Sequence, residues 1–280
     1  MKVLITGAGG QLGIDLARLC TAKDDIVTAL TRTDLDISDA NAVHQVVSGA
    51  KPDVVFNCAA WTAVDDCESD PERAELVNGT AIRGLSSAAA GVGAHLVQVS
   101  TDYVFSGSKA GAYTETDQPD PASSYGRSKL LGEINAGENA SVVRTSWVCS
   151  AHGGNMVATI ARLIAAHPTL SFVSDQRGRP TFTQDLAAAL YNLGTDRVGG
   201  VVHVANHGEV SWFEFAQAVV RAAGEDPARV SPIKSADLDP PRPAPRPANS
   251  VLSTEKYESL GYAPLPHFVE SLDAVISSYL

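Results

Sequence analysis

The sequence predicts an α/β fold, a doubly wound parallel sheet with a smaller C-terminal lobe. Three observations predict it. Short apolar runs alternate with helical patterns through the first half of the chain. The first run, Val3 to Ile5, leads into Gly7-Ala8-Gly9-Gly10-Gln11-Leu12-Gly13 and then into a helical pattern. Further on, Tyr125 and Lys129 stand four residues apart in Ser123-Ser124-Tyr125-Gly126-Arg127-Ser128-Lys129.

The elements follow in order. Val3 to Ile5 reads as a buried parallel strand. From Leu12 the pattern turns helical, with Leu12, Leu16 and Leu19 on one side. Strand, glycine turn and helix in that order form a Rossmann-type dinucleotide site. Gly7 allows the tight turn, Gly10 lets a pyrophosphate approach the backbone, and Gly13 lets the helix pack close to the strand. Free amides at the helix N-terminus then face the phosphates. Ile26 to Leu30 is the second strand, and Ser38 is expected to cap a helix ending near Gly49. Asp53 to Phe56 is the third strand, and Pro71 to Ala90 is mostly helix-forming. His95 to Val99 is the fourth strand, Ser124 to Ala136 the helix with the Tyr/Lys pair, and Val142 to Thr145 another strand. Ligands in such sheets sit beyond the carboxyl ends of the strands. Gly7, Asn57, Ser100 and Thr145 are therefore expected to converge on one crevice.

The second half is less regular. Asn155 to Ala166 is helical, Leu170 to Val173 a short strand, Thr183 to Leu193 helical and Val201 to Val204 a strand. Ser211-Trp212-Phe213-Glu214 is a capping box before another helix. Asp239 to Pro247, rich in Pro and Arg, is an irregular loop, and Phe268 to Tyr279 a closing helix. The expected organisation is a dinucleotide-binding domain at 1–150, with 183–207 returning to it, and a substrate-binding lobe at 151–182 and 208–280.

Composition narrows the partners. The chain has 280 residues, 44% hydrophobic and 19% charged, which is ordinary for a globular enzyme. A net charge of -11 without a long basic run argues against nucleic acid. No apolar run is long enough to span a membrane. Cys20, Cys58, Cys67 and Cys149 show no zinc spacing, and no His-Glu-x-x-His occurs, so no metal is expected. Unpaired cysteines and the lack of a signal peptide imply a cytoplasmic location.

The Tyr125/Lys129 pair carries chemistry. Four residues apart on a helix, the two share one face. A phenol ordinarily titrates near 10, and a neighbouring cation is expected to lower that value. The pair then serves as a proton donor or acceptor near neutrality. Gly-x-x-Gly-x-x-Gly followed about 115 residues later by Tyr-x-x-x-Lys resembles the short-chain dehydrogenase/reductase superfamily.

Longer strings carry the resemblance further. They are Gly10-Gln11-Leu12-Gly13, Ala59-Ala60-Trp61-Thr62-Ala63-Val64-Asp65, Ser100-Thr101-Asp102-Tyr103-Val104-Phe105, Arg144-Thr145-Ser146-Trp147-Val148, Gly178-Arg179-Pro180-Thr181 and Arg246-Pro247-Ala248-Asn249-Ser250. Together they are similar to the dTDP-4-dehydrorhamnose reductase family over nearly the whole chain. The resemblance implies reduction of the 4-keto group of dTDP-4-dehydro-L-rhamnose to dTDP-L-rhamnose, the last step of dTDP-rhamnose synthesis for cell-envelope polysaccharide. It implies that Tyr125 protonates the oxygen, Lys129 holds the nicotinamide ribose and Thr101 polarises the ketone. It also implies that Gln11, Leu12, Asn57, Ala59 and Ala60 line the cofactor with the glycines. Tyr103 and Trp147 would contact the sugar, and Arg246, with Arg242 beside it, the diphosphate. Asn78 matches a position on the helix behind the site, and Asp65 and Glu68 are read as structural. Arg32, at the end of the second strand, favours NADPH with NADH as the alternative, and Asp36 and Ile37 flank the adenine. Ser106 and Cys149 stand where family members often carry Asp and Tyr. A homodimer is left open.

Two alternatives remain at this point. One is an epimerase or dehydratase acting on another nucleotide sugar. The other is a non-catalytic dinucleotide-binding regulator, similar to a regulatory subunit of methionine adenosyltransferase, which has no need to keep Tyr125, Lys129 and Thr101 together.

Overall fold

The computed structural model describes residues 1–280. Its centre is a sheet of six parallel strands: β1 (Lys2–Thr6), β2 (Ile26–Leu30), β3 (Val54–Asn57), β4 (His95–Thr101), β5 (Ser141–Thr145) and a sixth strand, Gly200–His203. In space the order is sixth, β5, β4, β3, β1, β2. The chain builds outward from β1 to β2, then crosses back so that β3 lies on the other side of β1, with Thr6 opposite Asn57. That reversal opens a crevice beyond the carboxyl ends of β1 and β3.

Helices cover both faces, so the strands are apolar on both sides. Successive residues of β1 point to opposite layers. Val3 and Ile5 pack with Phe56, Leu16 of α1 (Gln11–Ala22) and Leu186 and Leu190 of helix Thr183–Thr195. Leu4 packs on the other side with Val43 and Val47 of α2 (Ala40–Ala50) and with Ile82 and Leu85. Ser38 does not cap α2. Asp39 does, accepting from the Asn41 and Ala42 amides, because the Ser38 amide and hydroxyl already donate to Asp36.

Between β3 and β4 run α3 (Val64–Ser69), α4 (Pro71–Glu75) and α5 (Ala81–Gly91), the last two joined by a π-helical turn at Leu76–Thr80. Such turns recur at functional sites. Here the turn buries Asn78 and brings Gly79 against α6 (Ser124–Ala136), where a Cβ would lie 2.6 Å from the Leu131 side chain.

The later chain gathers around a separate apolar cluster that includes Val157, Ile160, Phe215, Val219, Phe268 and Leu272. Asn155 caps helix Met156–Ala166, and Leu170–Val173 pairs in parallel with Val230–Ile233. Ser211 and Glu214 form the expected capping box of helix Trp212–Ala222. Asp239 to Pro247 carries no helix or strand, as its Pro content dictates. Strand Gly200–His203 returns to the main sheet beside β5.

Candidate active site at the carboxyl ends of the strands

The glycine loop closes over the end of β1. Gly7 has φ +68°, and a Cβ there would meet the Ala59 amide nitrogen at 2.6 Å. The Gly10 amide donates to the Gly7 carbonyl at 2.9 Å, which tightens the turn. Beside the loop lies a cavity of about 610 Å³, lined among others by Gly7, Gly10, Arg32, Asp36, Ile37, Ala59 and Ala60. Its size suits a cofactor. Thr31, Thr33, Cys58, Trp61 and Arg73 line it too. Sequence reasoning missed Arg73, whose guanidinium sits 4.3 Å from the centre of the Trp61 ring. No local signal marks it, because α3 separates Trp61 from Arg73 along the chain and only the fold brings them together.

Other residues expected at the cofactor hold the loop in shape. Leu12 is buried in the core, and a Cβ on Gly13 would collide with the Gly7 carbonyl. Asn57 takes a hydrogen bond from the Thr6 hydroxyl, donates to Gln98 at 2.7 Å and accepts from the Ala59 amide at 3.2 Å. Gln11 reaches across to the later chain, accepting from Ser150 and Asn155 and donating to the Gly154 carbonyl. At the end of β2, Asp36 is held below the ordinary carboxylate range, first by its bonds from Ser38 and then by Arg32.

The α6 helix starts where the sequence places it. Ser123 caps it by accepting from the Gly126 amide at 3.1 Å. Glu68 of α3 accepts from the Ser124 amide at 2.6 Å and the Ser124 hydroxyl at 2.9 Å, an anion at a helix N-terminus. Asn78 accepts from the Trp61 amide at 2.8 Å and donates to Ser128 at 3.1 Å, tying the π turn to the middle of α6. Asn78 is therefore buried and structural, not a helix-surface residue.

Tyr125 and Thr101 come together at the end of β4, and Lys129 reaches the same strand two residues earlier, at Val99. Tyr125 is buried, its ring edge-on to Tyr103 at 5.5 Å between centres. The Thr101 hydroxyl lies close enough to its phenol to favour the ionised form. Lys129, also buried, donates from Nζ to the Val99 carbonyl at 2.7 Å. The expected lowering of the phenol's pKa is corrected here. Burial raises Tyr125 above its ordinary value, and only the Thr101 hydroxyl among its principal partners acts against that. Burial instead lowers Lys129 to about 8, against the pull of Glu133. Neither group is among the other's principal neighbours, and desolvation dominates both.

Behind Lys129, Glu133 accepts from Arg144 through two bonds of 2.9 and 2.7 Å, and from Ser100. Strand β4 continues to Thr101, so Ser100 turns to Glu133 rather than to the crevice, while Thr145 ends β5 with a buried, unpartnered hydroxyl. Tyr103 is pushed up to about 12, chiefly by burial, and shares a hydrogen bond with Arg246. Arg246 grips Asp65 with both amino groups, at 2.5 and 2.8 Å, and Arg242 lies 3.6 Å from the same carboxylate. Trp147 takes φ +48° and stacks on Trp212 at 3.5 Å between ring centres. Ser106 meets Ser108 at 2.9 Å, and Cys149 is buried in the later apolar cluster.

Comparison with known proteins agrees with this layout. The family described as "RmlD substrate binding domain" matches residues 1–280. A dTDP-4-dehydrorhamnose reductase of Streptomyces griseus is 43% identical over 96% of this chain and 91% of its own. The crystal structure of a dTDP-4-dehydrorhamnose reductase from Clostridium acetobutylicum superposes with a TM-score of 0.95, at 38% identity and 99% coverage of both chains. The corresponding Bacillus anthracis structure, in complex with NADP, gives 0.94 at 34% identity over 99% of this chain and 98% of that one. With the family match spanning residues 1–280 and relatives agreeing in sequence and fold over nearly all of the chain, the chain belongs to the RmlD family of dTDP-4-dehydrorhamnose reductases.

Proposed function

We propose that this protein reduces the 4-keto group of dTDP-4-dehydro-L-rhamnose to a hydroxyl, giving dTDP-L-rhamnose, with NADPH as the preferred reductant. The observation that carries this reading is the approach of Tyr125 to Thr101 at the end of β4, with Lys129 one turn along the same helix and bonded to that strand, at the carboxyl end of the sheet where the cavity beside the glycine loop also lies. Residues 1–150 with 183–207 hold the dinucleotide in this reading, and 151–182 with 208–280 form the substrate lobe. Free cysteines support a cytoplasmic location.

The residues present fit a dinucleotide. The glycine turn leaves backbone amides free at the start of α1, where phosphates are favoured. Arg32 at the end of β2 suits a 2'-phosphate. When bound, the nicotinamide supplies the hydride. The chain's own residues do the rest. Tyr125 gives its proton to the carbonyl oxygen as negative charge develops there. Its high affinity for that proton makes it a donor rather than a base in the resting protein. Lys129, one turn along, holds the cofactor ribose and offsets the phenolate left behind. Thr101 donates to the same oxygen, a contribution of roughly 3 kcal/mol for a well-placed donor. Tyr103 and Trp147 flank the sugar, and Arg246 meets the diphosphate after easing its hold on Asp65.

The test is direct. Purified protein is mixed with dTDP-4-dehydro-L-rhamnose and NADPH or NADH, and reduced nicotinamide is followed by absorbance. Consumption with formation of dTDP-L-rhamnose is expected. No consumption with either cofactor rejects the reading.

A further inference from the structure

Thr101 has more neighbours than one hydroxyl can serve in its proposed role. A hydroxyl has one proton and two acceptor positions. The Tyr103 amide donates to Oγ1 at 3.2 Å, filling one acceptor position. Asp102 Oδ1 lies 2.9 Å away. An ionised Asp102 only accepts, so it takes the Thr101 proton and leaves nothing for a substrate carbonyl. A neutral Asp102 donates into the second acceptor position, and the Thr101 proton is then released from Asp102 toward the Tyr125 phenol oxygen and a carbonyl seated beside it.

We propose that Asp102 is a positioning residue that works as a neutral hydrogen-bond donor to Thr101, aiming the Thr101 hydroxyl at the carbonyl to be reduced. The proposal rests on the reductase reading above and deepens it. The surroundings favour the neutral form. Asp102 is 2% exposed, and its second oxygen, Oδ2, is buried with no hydrogen-bond partner. A carboxylate left so is costly. No cation compensates it at close range. The groups facing it are Thr101 and Tyr103 from its own segment, Tyr125 from α6 and Ser250 from the C-terminal segment. The charged pair Arg246–Asp65 stands on the far side of Tyr103. Burial pushes the Asp102 carboxyl up to about 6, against the opposing pull of Ser250, Thr101 and the Asp102 and Tyr103 amides. A carbonyl oxygen gaining negative charge beside Thr101 disfavours the anion further. No proton leaves Asp102 in the reaction: Tyr125 supplies the proton, and Asp102 keeps its own.

The full-length protein is assayed with NADPH and dTDP-4-dehydro-L-rhamnose, alongside Asp102→Asn, Asp102→Ala, Thr101→Val and the Asp102→Ala/Thr101→Val pair. Asn stays neutral and carries an N–H donor. In the wild type, kcat is expected to fall on the alkaline side with an apparent pKa at or above about 6. Asp102→Asn should lose that step and keep the one set by Lys129 near 8. Thr101→Val should lower kcat about a hundredfold with KM little changed. Asp102→Ala should cost a similar factor, and the pair no more than the worse single variant, because both remove one oriented hydroxyl. A pH profile unchanged in Asp102→Asn, or multiplying effects in the pair, overturns the proposal. If Asp102→Ala does not fold, Asp102→Asn carries the test.

A second readout needs no turnover. Infrared difference spectra, wild type minus Asp102→Asn, should show the carbonyl stretch of a neutral carboxylic acid that titrates near or above 6 and shifts in Thr101→Val. An absent or Thr101-insensitive band overturns the Asp102 arrangement. An intact band in a protein that reduces no sugar rejects the reductase reading instead.

Discussion

Glu133 and Arg144 form a buried two-point ion pair one helical turn beyond Lys129. Their side chains are 6% and 3% exposed, and the N–O distances are 2.9 and 2.7 Å. Arg144 also stacks its guanidinium 5.0 Å from the Phe105 ring centre. The pair locks α6 to β5 at the depth where Lys129 must be held, and its carboxylate keeps positive charge on a lysine that burial would otherwise strip.

Removing one partner strands the other. Glu133→Gln keeps the shape but leaves a buried guanidinium half-satisfied, and should cost about 3–5 kcal/mol of stability. Urea denaturation measures it. Replacing Glu133 and Arg144 together by Leu should recover most of that loss; a double variant as unstable as Glu133→Gln contradicts this account.

Tyr125→Phe removes the proposed proton donor without changing the ring that packs on Tyr103. It should lower kcat by about 10²–10⁴-fold while NADPH affinity stays close to wild type. Stopped-flow turnover and cofactor fluorescence separate the two. Retention of most of the turnover would exclude Tyr125 as the donor.

Lys129 gives a pH signature with a definite sign. Its value in the folded protein, about 8, lies below the ordinary 10.5. Between those values the unfolded chain holds the proton and the native protein does not, so this group's contribution to stability rises with pH across that window. Below about 8 both states are protonated and the cost of burying the cation is fully felt. Denaturation midpoints of wild type and Lys129→Met, compared from pH 7 upward, should converge as pH rises through this window. A constant difference would show that Lys129 titrates normally.

The proposed contact of Arg32 with a 2'-phosphate makes a prediction about cofactor choice. Arg32→Ala should raise KM for NADPH about tenfold or more, a charge-assisted contact of some 1.5–3 kcal/mol, and leave KM for NADH nearly unchanged. Equal effects on both cofactors would assign the 2'-phosphate to another cation, with Arg73 the next in the same cavity.

Much of the fold was legible before any coordinate. Val3 to Ile5, the glycine spacing and the start of α6 at Ser124 lie where the sequence puts them, because each depends on neighbours a few residues away. Where a local rule had two candidates it went astray. Ser38 and Asp39 both qualify as N-caps, and the choice fell to Asp39 once Asp36 captured Ser38. The proton affinity of Tyr125 was not legible at all: a lysine four residues on is visible in sequence, but the burial that outweighs it is not.

The sequence by itself determined the alternation of strand and helix, the glycine turn after the first strand and the presence of a phenol and an ammonium on one helical face. Periodicity and turn chemistry act over a single turn or pleat, and are written locally. Only the tertiary structure decided that Asp102 faces Thr101 with an unpartnered oxygen, that Glu133 meets Arg144, and that Arg246 is clasped by Asp65, 181 residues away. Those outcomes depend on which groups packing brings together and how much water it removes from them, and desolvation is a property of the assembled fold rather than of any stretch of chain.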